Sequence, residues 1–272
     1  MPNARRTSSL ATLLLLCVFC TAQSINTAVG EAEVLQYDLY YNWKFLWVNA
    51  GSASMSVTQT VYRGLPAFRT RMLTRGSDKA DRFFVLRDTL TSILTSDDMK
   101  PREYTKTDLE GEKYRRRHVW YTYAADGTCT VQQNYINPYG VSKWATETVA
   151  EPVYDMLSFL LRARSFDPTH WQENKEIDFL MTDGDGIEKQ TLIYRGKQKI
   201  TMHNSRSQYR CLVFSFLMQT QKGKQQEVAT FYVTDDLNHL PIRIDLNLSF
   251  GSSKAYLSGY TGLRNPMEAK IK

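Results

Sequence analysis

Two stretches of strict alternation, one near each end of the chain, constrain the fold most. From Tyr37 to Trp47 every odd position is aromatic or aliphatic, and most positions between them are polar. From Ile242 to Phe250 apolar and polar residues alternate again. A period of two sends successive side chains to opposite faces of a β-sheet. Both stretches therefore predict long strands with one apolar face.

Turn dipeptides punctuate the chain between these stretches, and each lies between runs rich in Val, Ile, Thr, Tyr and Phe. They are Arg63-Gly64, Glu110-Gly111, Asp126-Gly127, Arg195-Gly196 and Lys222-Gly223, with Gly184-Asp185-Gly186 as a further turn. Because glycine accepts the positive φ of tight connections, these dipeptides predict hairpins. We expect about a dozen strands. A single domain over residues 34–262 is the simplest interpretation, since no long Pro- or Gly-rich linker interrupts it.

One segment departs from the β pattern and has the spacing of a helix. Its apolar residues recur three or four positions apart: Val153, Met156, Leu157, Leu160 and Leu161. Pro152 is tolerated in a first helical turn, and the Asp167-Pro168 step would stop a helix. We predict an amphipathic helix over residues 152–164 and a shorter helical piece near residues 77–84.

The apolar stripe of the longer helix needs a partner, and the inner face of the sheet is the large apolar surface available. We therefore expect a mainly β fold. Its centre is a large curved antiparallel sheet, an open or half barrel, wrapped around one amphipathic helix.

The first 22 residues predict a cleavable signal peptide. Arg5 and Arg6 precede an apolar run over residues 10–19, and cleavage is expected after about Ala22. This run is shorter than the roughly 20 apolar residues of a membrane-spanning helix. Lipidation at Cys17 or Cys20 is disfavoured, because bulky residues precede both. Residues 23–33 are then a flexible lead-in and residues 263–272 a tail.

The charge balance argues against a nucleic-acid partner. Without Arg5 and Arg6 the 34 basic residues fall to 32, which face 28 acidic residues and leave a net charge of +4. The one dense basic run in the sequence is Arg115-Arg116-Arg117, and on a strand these side chains alternate between faces. A solvated strand is favoured, because nucleic-acid sites gather their charge into a stripe.

Cys129 and Cys211 are the two cysteines that remain after the signal peptide. An exported protein can join them in a disulfide. Both also lie in apolar, strand-like contexts, where a small buried side chain is a sufficient explanation. The sequence leaves both interpretations open.

Four segments carry a combination of motifs: residues 37–57 with an Asn49-Ala50-Gly51 turn, residues 84–88, residues 155–158, and residues 232–236 followed by Leu240-Pro241. Over about residues 34–260 they resemble a group of bacterial periplasmic domains of unknown function, a DUF family. The resemblance implies a cell-envelope location and an open β-barrel or half-barrel, similar to periplasmic carriers of lipoproteins and other lipids. It implies no activity and no ligand residues.

Motifs that carry chemistry are not found. The four histidines are scattered, with no HExxH pattern, and no GxSxG or Gly-rich phosphate loop occurs. Asp183-Gly184-Asp185-Gly186 is similar to the start of a calcium loop, but Tyr194 stands where the last acidic ligand belongs. A hairpin turn explains it better. We expect no enzyme activity, no cofactor and no metal.

Aromatic residues make up 12% of the chain, and many lie on alternating strand faces. They predict either a filled core or a hydrophobic cavity between sheet and helix that holds a lipid or acyl chain. The residues expected to line such a cavity are Tyr41, Trp43, Phe45, Trp47, Phe214, Phe216 and Leu246.

Together these features predict a periplasmic β protein that binds or carries a hydrophobic or lipidic ligand. The alternative is a structural or assembly factor that binds another envelope protein through a sheet edge or an exposed face. An outer-membrane β-barrel is a more distant alternative, because the mid-chain helix and the charged strand around residues 115–117 do not suit a lipid-facing barrel.

Overall fold

A computed structural model describes residues 25–43, 46–203, 205–219, 224–248 and 251–271, so the predicted signal peptide lies outside the described residues. Two helices occur among them, α1 (Asp78–Asp81) and α2 (Met156–Ala163). The strands are β1 (Val34–Trp43), β2 (Leu46–Tyr62), β3 (Leu65–Gly76), β4 (Leu86–Thr95), β5 (Pro101–Glu110), β6 (Lys113–Tyr123), β7 (Cys129–Ile136), β8 (Ser142–Val149), β9 (Val153–Tyr154), β10 (Glu176–Thr182), β11 (Ile187–Thr201), β12 (Gln208–Gln219), β13 (Gln225–Thr234), β14 (Pro241–Asn247) and β15 (Ser252–Thr261).

The described strands form one open sheet in the order β8-β7-β6-β5-β4-β3-β2-β1-β15-β14-β13-β12-β11-β10-β9. Neighbours pair antiparallel except β9 and β10, which are parallel. The two edge strands, β8 and β9, follow each other in the chain. The prediction of a mainly β protein with a large curved sheet is confirmed.

β1 and β2 form a hairpin in place of the single strand that alternation up to Trp47 predicts. β1 ends at Trp43, and β2 begins at Leu46. The predicted turn at residues 49–51 lies inside β2, at a shift in the register with β1. Alternation alone does not reveal this reversal, because both arms of a hairpin carry the same period.

Hairpin turns occur at several of the predicted glycines. Gly64 and Gly111 connect neighbouring strands with φ angles of 84° and 61°, in the left-handed region that glycine favours. Arg195-Gly196 does not turn the chain but lies inside β11, where a bulge shifts the register with β12. The prediction of a hairpin turn at this dipeptide is therefore wrong. A β-bulge can use a glycine of positive φ just as a turn does, so the dipeptide alone does not distinguish the two. Lys222-Gly223 lies outside the described residues.

Helix α2 begins later than the predicted start at residue 152. Val153 and Tyr154 form β9, and Asp155 is the N-cap, whose side chain accepts hydrogen bonds from Leu157 N at 2.9 Å and Ser158 N at 3.0 Å. Ser158 Oγ in turn accepts from Asp155 N at 3.0 Å. This reciprocal cap fixes the start of the helix.

The short helix predicted near residues 77–84 is present as α1. Its N-cap is Ser77, whose hydroxyl accepts from Ala80 N at 3.2 Å. Neither described helix has the length or the apolar run that crossing a membrane requires.

Two apolar clusters surround α2. The larger contains Leu157 and Leu161 together with residues of most strands. The smaller contains Phe159 with side chains of β10 to β13. At its N-terminus α2 is tied to β4, because Ser92 Oγ donates to Asp155 Oδ2 at 2.8 Å. The sheet therefore encloses the helix, as expected.

Residues 25–33, predicted as a flexible lead-in, pack against the folded part. Ala28 and Val29 are buried, and the Asn26 side chain both donates to and accepts from the backbone of Val29. Glu33 is buried as well and forms an ion pair with Arg164 beside the end of α2. The folded part thus begins before β1.

Residues 263–271, predicted as a tail, also lie on the domain. Met267 packs against the larger cluster, and Ala269 is buried, with its carbonyl accepting from Arg210 N at 2.9 Å. Gly262 has a φ of 69°, and a Cβ there would lie 2.1 Å from Ala32 O. Only glycine lets the two ends of the domain approach this closely.

Cys129 on β7 and Cys211 on β12 are buried and free. Burial raises the pKa of both thiols, that of Cys211 to about 12, so they are neutral core side chains. The disulfide interpretation is therefore not supported.

Candidate ligand-binding face

Two adjacent rows of mostly apolar side chains cross β11, β12, β13, β14, β15 and β1. Cross-strand partners share a face of a sheet, as do positions i and i+2 of a strand, so both rows lie on one face. The first row is Tyr194, Phe214, Phe231, Ile244, Ala255 and Leu39, and the second is Leu192, Phe216, Ala229, Leu246, Ser253 and Tyr41. We call these two rows the apolar strip.

Burial varies along the strip. Tyr194 and Phe214, where the strip meets α2 and its following connection, are 5% and 8% exposed. Phe216, Leu246 and Tyr41 are half-buried. Phe231, Ile244 and Leu39 of the first row are half-buried too, so part of this apolar surface stays in contact with solvent in both rows.

Four of the seven predicted lining residues lie in the strip: Tyr41, Phe214, Phe216 and Leu246. Phe45 and the side chain of Trp43 lie outside the described part of the structure. Trp47 does not share the face of the other predicted residues.

Trp47 is on the opposite face because the chain reverses before it. Tyr41 pairs with Val48, whereas Trp47 pairs with Asn42. The indole of Trp47 lies under Lys254, with Nζ 4.4 Å from the ring centroid. Its assignment to the lining is a wrong prediction that follows from the missed hairpin.

Aromatic rings connect the strip to α2. Phe159 of the helix stacks on Phe179 of β10 with ring centroids 3.5 Å apart, and Phe179 lies 6.0 Å from Phe216. Trp171, in the connection between α2 and β10, meets Phe214 edge-on at 6.2 Å. These contacts fix the buried end of the strip.

Phe159, Phe179 and Trp171 of this aromatic cluster are not among the residues predicted from the sequence. Phe179 lies in the alternation Ile177, Phe179 and Met181, which is a readable signal for a strand face. Trp171 lies in an irregular connection that has no period. Its contact with Phe214 depends on tertiary structure alone.

The strip has the chemistry of a surface that excludes water. Its side chains carry no charge. Ser253 Oγ is already engaged, because it donates to Tyr40 O at 2.9 Å. Burial raises the pKa of Tyr194, so its phenol stays neutral. An apolar molecule placed here gains about 25 cal/mol for each Å² of apolar surface removed from water.

A polar cleft lies where the β10–β11 turn (residues 183–186) contacts β7 and β8. Thr182 Oγ1 and Gly186 N both donate to Gln133 Oε1, the latter at 3.2 Å. The cleft measures about 160 Å³ and is lined by Gln133, Tyr135, Lys143, Ala145, Glu147, Gly184, Asp185 and Gly186. The predicted hairpin turn at residues 184–186 is confirmed.

The carboxylates of this turn bind the protein's own donors. Asp183 accepts from the Tyr104 hydroxyl at 3.1 Å and from Lys106 Nζ at 2.8 Å. Asp185 lies 3.2 Å from Lys143 Nζ. This geometry anchors the turn to the facing strands.

Asp88 lies near this turn, and the charge of Asp183 acts on its carboxyl. Burial raises its pKa to about 6, a shift that Lys106 opposes and the neighbouring Asp108 reinforces. Asp88 and Asp108 are direct cross-strand partners. Among the described residues Asp88 Oδ1 is buried without a hydrogen-bond partner, so its ionisation costs stability.

His118 and His239 form hydrogen bonds in separate parts of the fold. His118 Nε2 lies 2.8 Å from Glu103 Oε1, and His239 Nδ1 lies 2.6 Å from Arg164 O. Burial lowers the pKa of His239. Within the described ranges, no three His, Cys, Asp or Glu side chains are grouped so that they could hold a metal ion.

Among solved structures, a β-barrel-like protein of the domain of unknown function DUF1849 from Brucella abortus superposes with a TM-score of 0.53 at 12% identity, covering 86% of this chain and 98% of that one. This likeness shows the fold. A protein with a YmcC-like fold from Bacteroides fragilis has a TM-score of 0.34 at 7% identity, covering 88% and 99% of the two chains. No curated protein matches the sequence at a significant level.

A family profile described as "Protein of unknown function (DUF3108)" matches residues 36–258. The match includes every residue of the apolar strip. It agrees with the resemblance to a periplasmic DUF family, and the chain belongs to the DUF3108 family.

Proposed function

We propose that this protein is an exported cell-envelope protein that binds or carries a lipid or another long apolar molecule on the apolar strip. The observation that carries the proposal is the pair of apolar rows across six neighbouring strands, with Phe216, Leu246 and Tyr41 still half-buried. A surface of this composition binds by burial and needs no catalytic group.

The half-buried residues of the strip run across β12, β13, β14, β15 and β1, which supports an elongated ligand. Ala229, Ser253 and Ala255 are small and lie between larger residues such as Phe216 and Leu246. Ala229 and Ala255 are buried, so an acyl chain lying across the strip would contact the larger, half-buried side chains beside them. Each buried methylene contributes about 0.8 kcal/mol.

Export is part of the same proposal and rests on the first 22 residues. Their basic start, apolar run and small residues before Ala22 are those of a cleavable signal. A carrier in the cell envelope fits this destination, because lipids that cross an aqueous compartment need their acyl chains covered.

A binding assay with a fluorescent fatty acid tests the strip directly. The wild-type protein is expected to bind the probe saturably, and Phe216→Ser to weaken binding about tenfold, because the ring contributes roughly 1.5–3 kcal/mol of burial. Val61→Ser is the matched control, since Val61 is 69% exposed on β2 and belongs to neither row.

Circular dichroism and urea unfolding confirm that both variants are folded. Saturable binding that both variants retain equally would place the ligand elsewhere. Absence of saturable binding in the wild type would contradict the carrier function.

A structural or assembly role is the second candidate, and one observation favours it. β8 is a regular edge strand of eight residues whose outward side chains are mostly exposed, and such an edge can pair with another chain. Covalent cross-linking in the host envelope followed by identification of linked proteins distinguishes this role. Reproducible cross-links to one other protein, with no bound lipid, support it over the carrier.

A further inference from the structure

The two edge strands of the sheet differ in how much backbone they offer for pairing with another strand. β9 has two residues and leads directly into α2, so it offers little backbone for pairing. β8 has eight residues, from Ser142 to Val149, and its register with β7 runs without a bulge from Cys129 to Ile136. Natural edges are commonly blunted by prolines, bulges, short length or charged side chains. β8 has no proline and no bulge, and its charged residues are Lys143 and Glu147.

The charges on β8 are arranged for one pairing register. Lys143 and Glu147 lie four positions apart, on the same face, with Ala145 midway between them. When two β8 strands pair antiparallel about a two-fold axis at Ala145, Lys143 lies directly opposite the partner's Glu147, and Glu147 opposite the partner's Lys143. A register shifted by four residues places Lys143 opposite itself, which is repulsive.

Lys143 is exposed and Glu147 is half-buried. The Lys143 side chain is 69% exposed, and its ion pair with Asp185 at 3.2 Å is solvent-exposed and therefore weak. Glu147 accepts one hydrogen bond, from Gln133 Nε2 at 3.0 Å, through Oε1. Its second carboxylate oxygen can accept from the partner's lysine.

The other face of β8 carries an exposed tryptophan that the same register would cover. Trp144 is 59% exposed and stacks on Trp120 of β6 with ring centroids 5.9 Å apart and an interplanar angle of 6°. In the register centred on Ala145, Trp144 lies opposite the partner's Thr146 and diagonal to the partner's Trp144. Diagonal neighbours across antiparallel strands are about 7–8 Å apart, within reach of aromatic rings.

We propose that the protein forms a homodimer by antiparallel pairing of β8 with β8 of a second copy, in the register centred on Ala145. The interface is isologous, with the same strand on both sides, as two-fold symmetry requires. Two Lys143–Glu147 pairs set the register, and the two Trp144 rings cover each other. This inference does not depend on what the apolar strip binds.

Sedimentation velocity over a concentration series tests the dimer with charge-reversal variants. The wild type is expected to show a reversible monomer–dimer equilibrium. Lys143→Glu and Glu147→Lys each replace two attractive pairs by two repulsive ones, and should each weaken association about tenfold or more. The double variant, Lys143→Glu with Glu147→Lys, recreates the pairs in reverse and should restore association.

Lys199→Glu is the matched control, because Lys199 is an exposed lysine on β11, away from β8. It changes the net charge by the same amount as Lys143→Glu and should leave association unchanged. Circular dichroism checks the fold of each variant.

Two results would overturn the proposal. One is a wild type that stays monomeric at every concentration up to the highest that is soluble. The other is a dimer that the single reversals do not weaken, or that the double reversal does not restore, because association would then use another surface.

Discussion

Glu33 and Arg164 form an ion pair from which water is excluded, with side chains 0% and 2% exposed. Arg164 also donates to Asn238 O at 3.0 Å and to Ala28 O at 3.3 Å. One guanidinium thus joins the segment before β1, the end of α2 and the β13–β14 connection. No local pattern predicts such a pair, because its partners are far apart in the sequence.

Glu33→Gln is expected to lower the free energy of unfolding by about 3–5 kcal/mol, because it leaves the Arg164 charge buried without a counter-charge. Urea denaturation followed by circular dichroism measures this loss. Glu31→Gln is the control, since Glu31 is exposed, and it should change stability by less than about 0.5 kcal/mol. A loss in Glu33→Gln no larger than in the control would contradict the role of the pair.

Asp88 makes stability depend on pH in a defined window. Its pKa in the folded protein is raised to about 6, above the usual value near 4. The folded state therefore holds this proton more tightly than the unfolded state, and the contribution of Asp88 to stability falls as pH rises from about 4 to 6.

Asp88→Asn removes this penalty and is expected to stabilise the protein above pH 6 by about 1 kcal/mol, after allowance for partial exposure. Below pH 4 the variant and wild type should be about equally stable. Urea midpoints of both proteins between pH 4 and 7.5 provide the measurement. A stability difference that does not change with pH would show that Asp88 titrates normally.

At the scale of elements, the alternation of β1 and β14 was enough to predict strands and their buried faces. The same alternation does not reveal the reversal between β1 and β2, and the face predicted for Trp47 is therefore wrong. Arg195-Gly196 shows a related limit, because a glycine with positive φ serves a bulge as well as a turn. Local sequence therefore predicts the presence of strands better than their ends.

The start of α2 depends on one side chain. Asp155 Oδ1 accepts from two backbone amides of the first turn, and Oδ2 accepts from Ser92 and Ser158. Burial raises the pKa of this carboxyl. The apolar spacing predicted the helix, but the cap placed its first residue at Met156 and not at residue 152.

Asp155→Ala should lower the free energy of unfolding by about 2 kcal/mol, because it removes the cap and leaves two backbone amides and two hydroxyls without their acceptor. Asp155→Asn keeps an acceptor for the backbone amides and should lose clearly less. Urea unfolding of the two variants gives the comparison. Equal losses would indicate that the cap is not what stabilises the start of α2.

At the scale of the whole molecule, composition and periodicity predicted the fold class and the enclosure of a helix by the sheet. They did not predict the packing of residues 25–33 and 263–271, because these segments have no period and are held by buried contacts. The contact of the β10–β11 turn with β7 could not be predicted either, since it joins residues about fifty positions apart.

The residues of the apolar strip were likewise only partly predictable from the sequence. Phe214, Phe216 and Leu246 were predicted from alternation within single strands. Their alignment into rows requires the strand order and register, which bring β12, β14 and β1 to the same part of the sheet. The rows are therefore a property of the tertiary fold.

Native mass spectrometry of the protein purified from its own host, followed by lipid extraction, tests the carrier function most directly. We expect a reproducible mass addition that matches an extracted lipid, and a loss of that addition in Phe216→Ser but not in Val61→Ser. Wild-type protein that is folded and free of any bound lipid in repeated preparations, together with a co-purifying polypeptide partner, would contradict the carrier function.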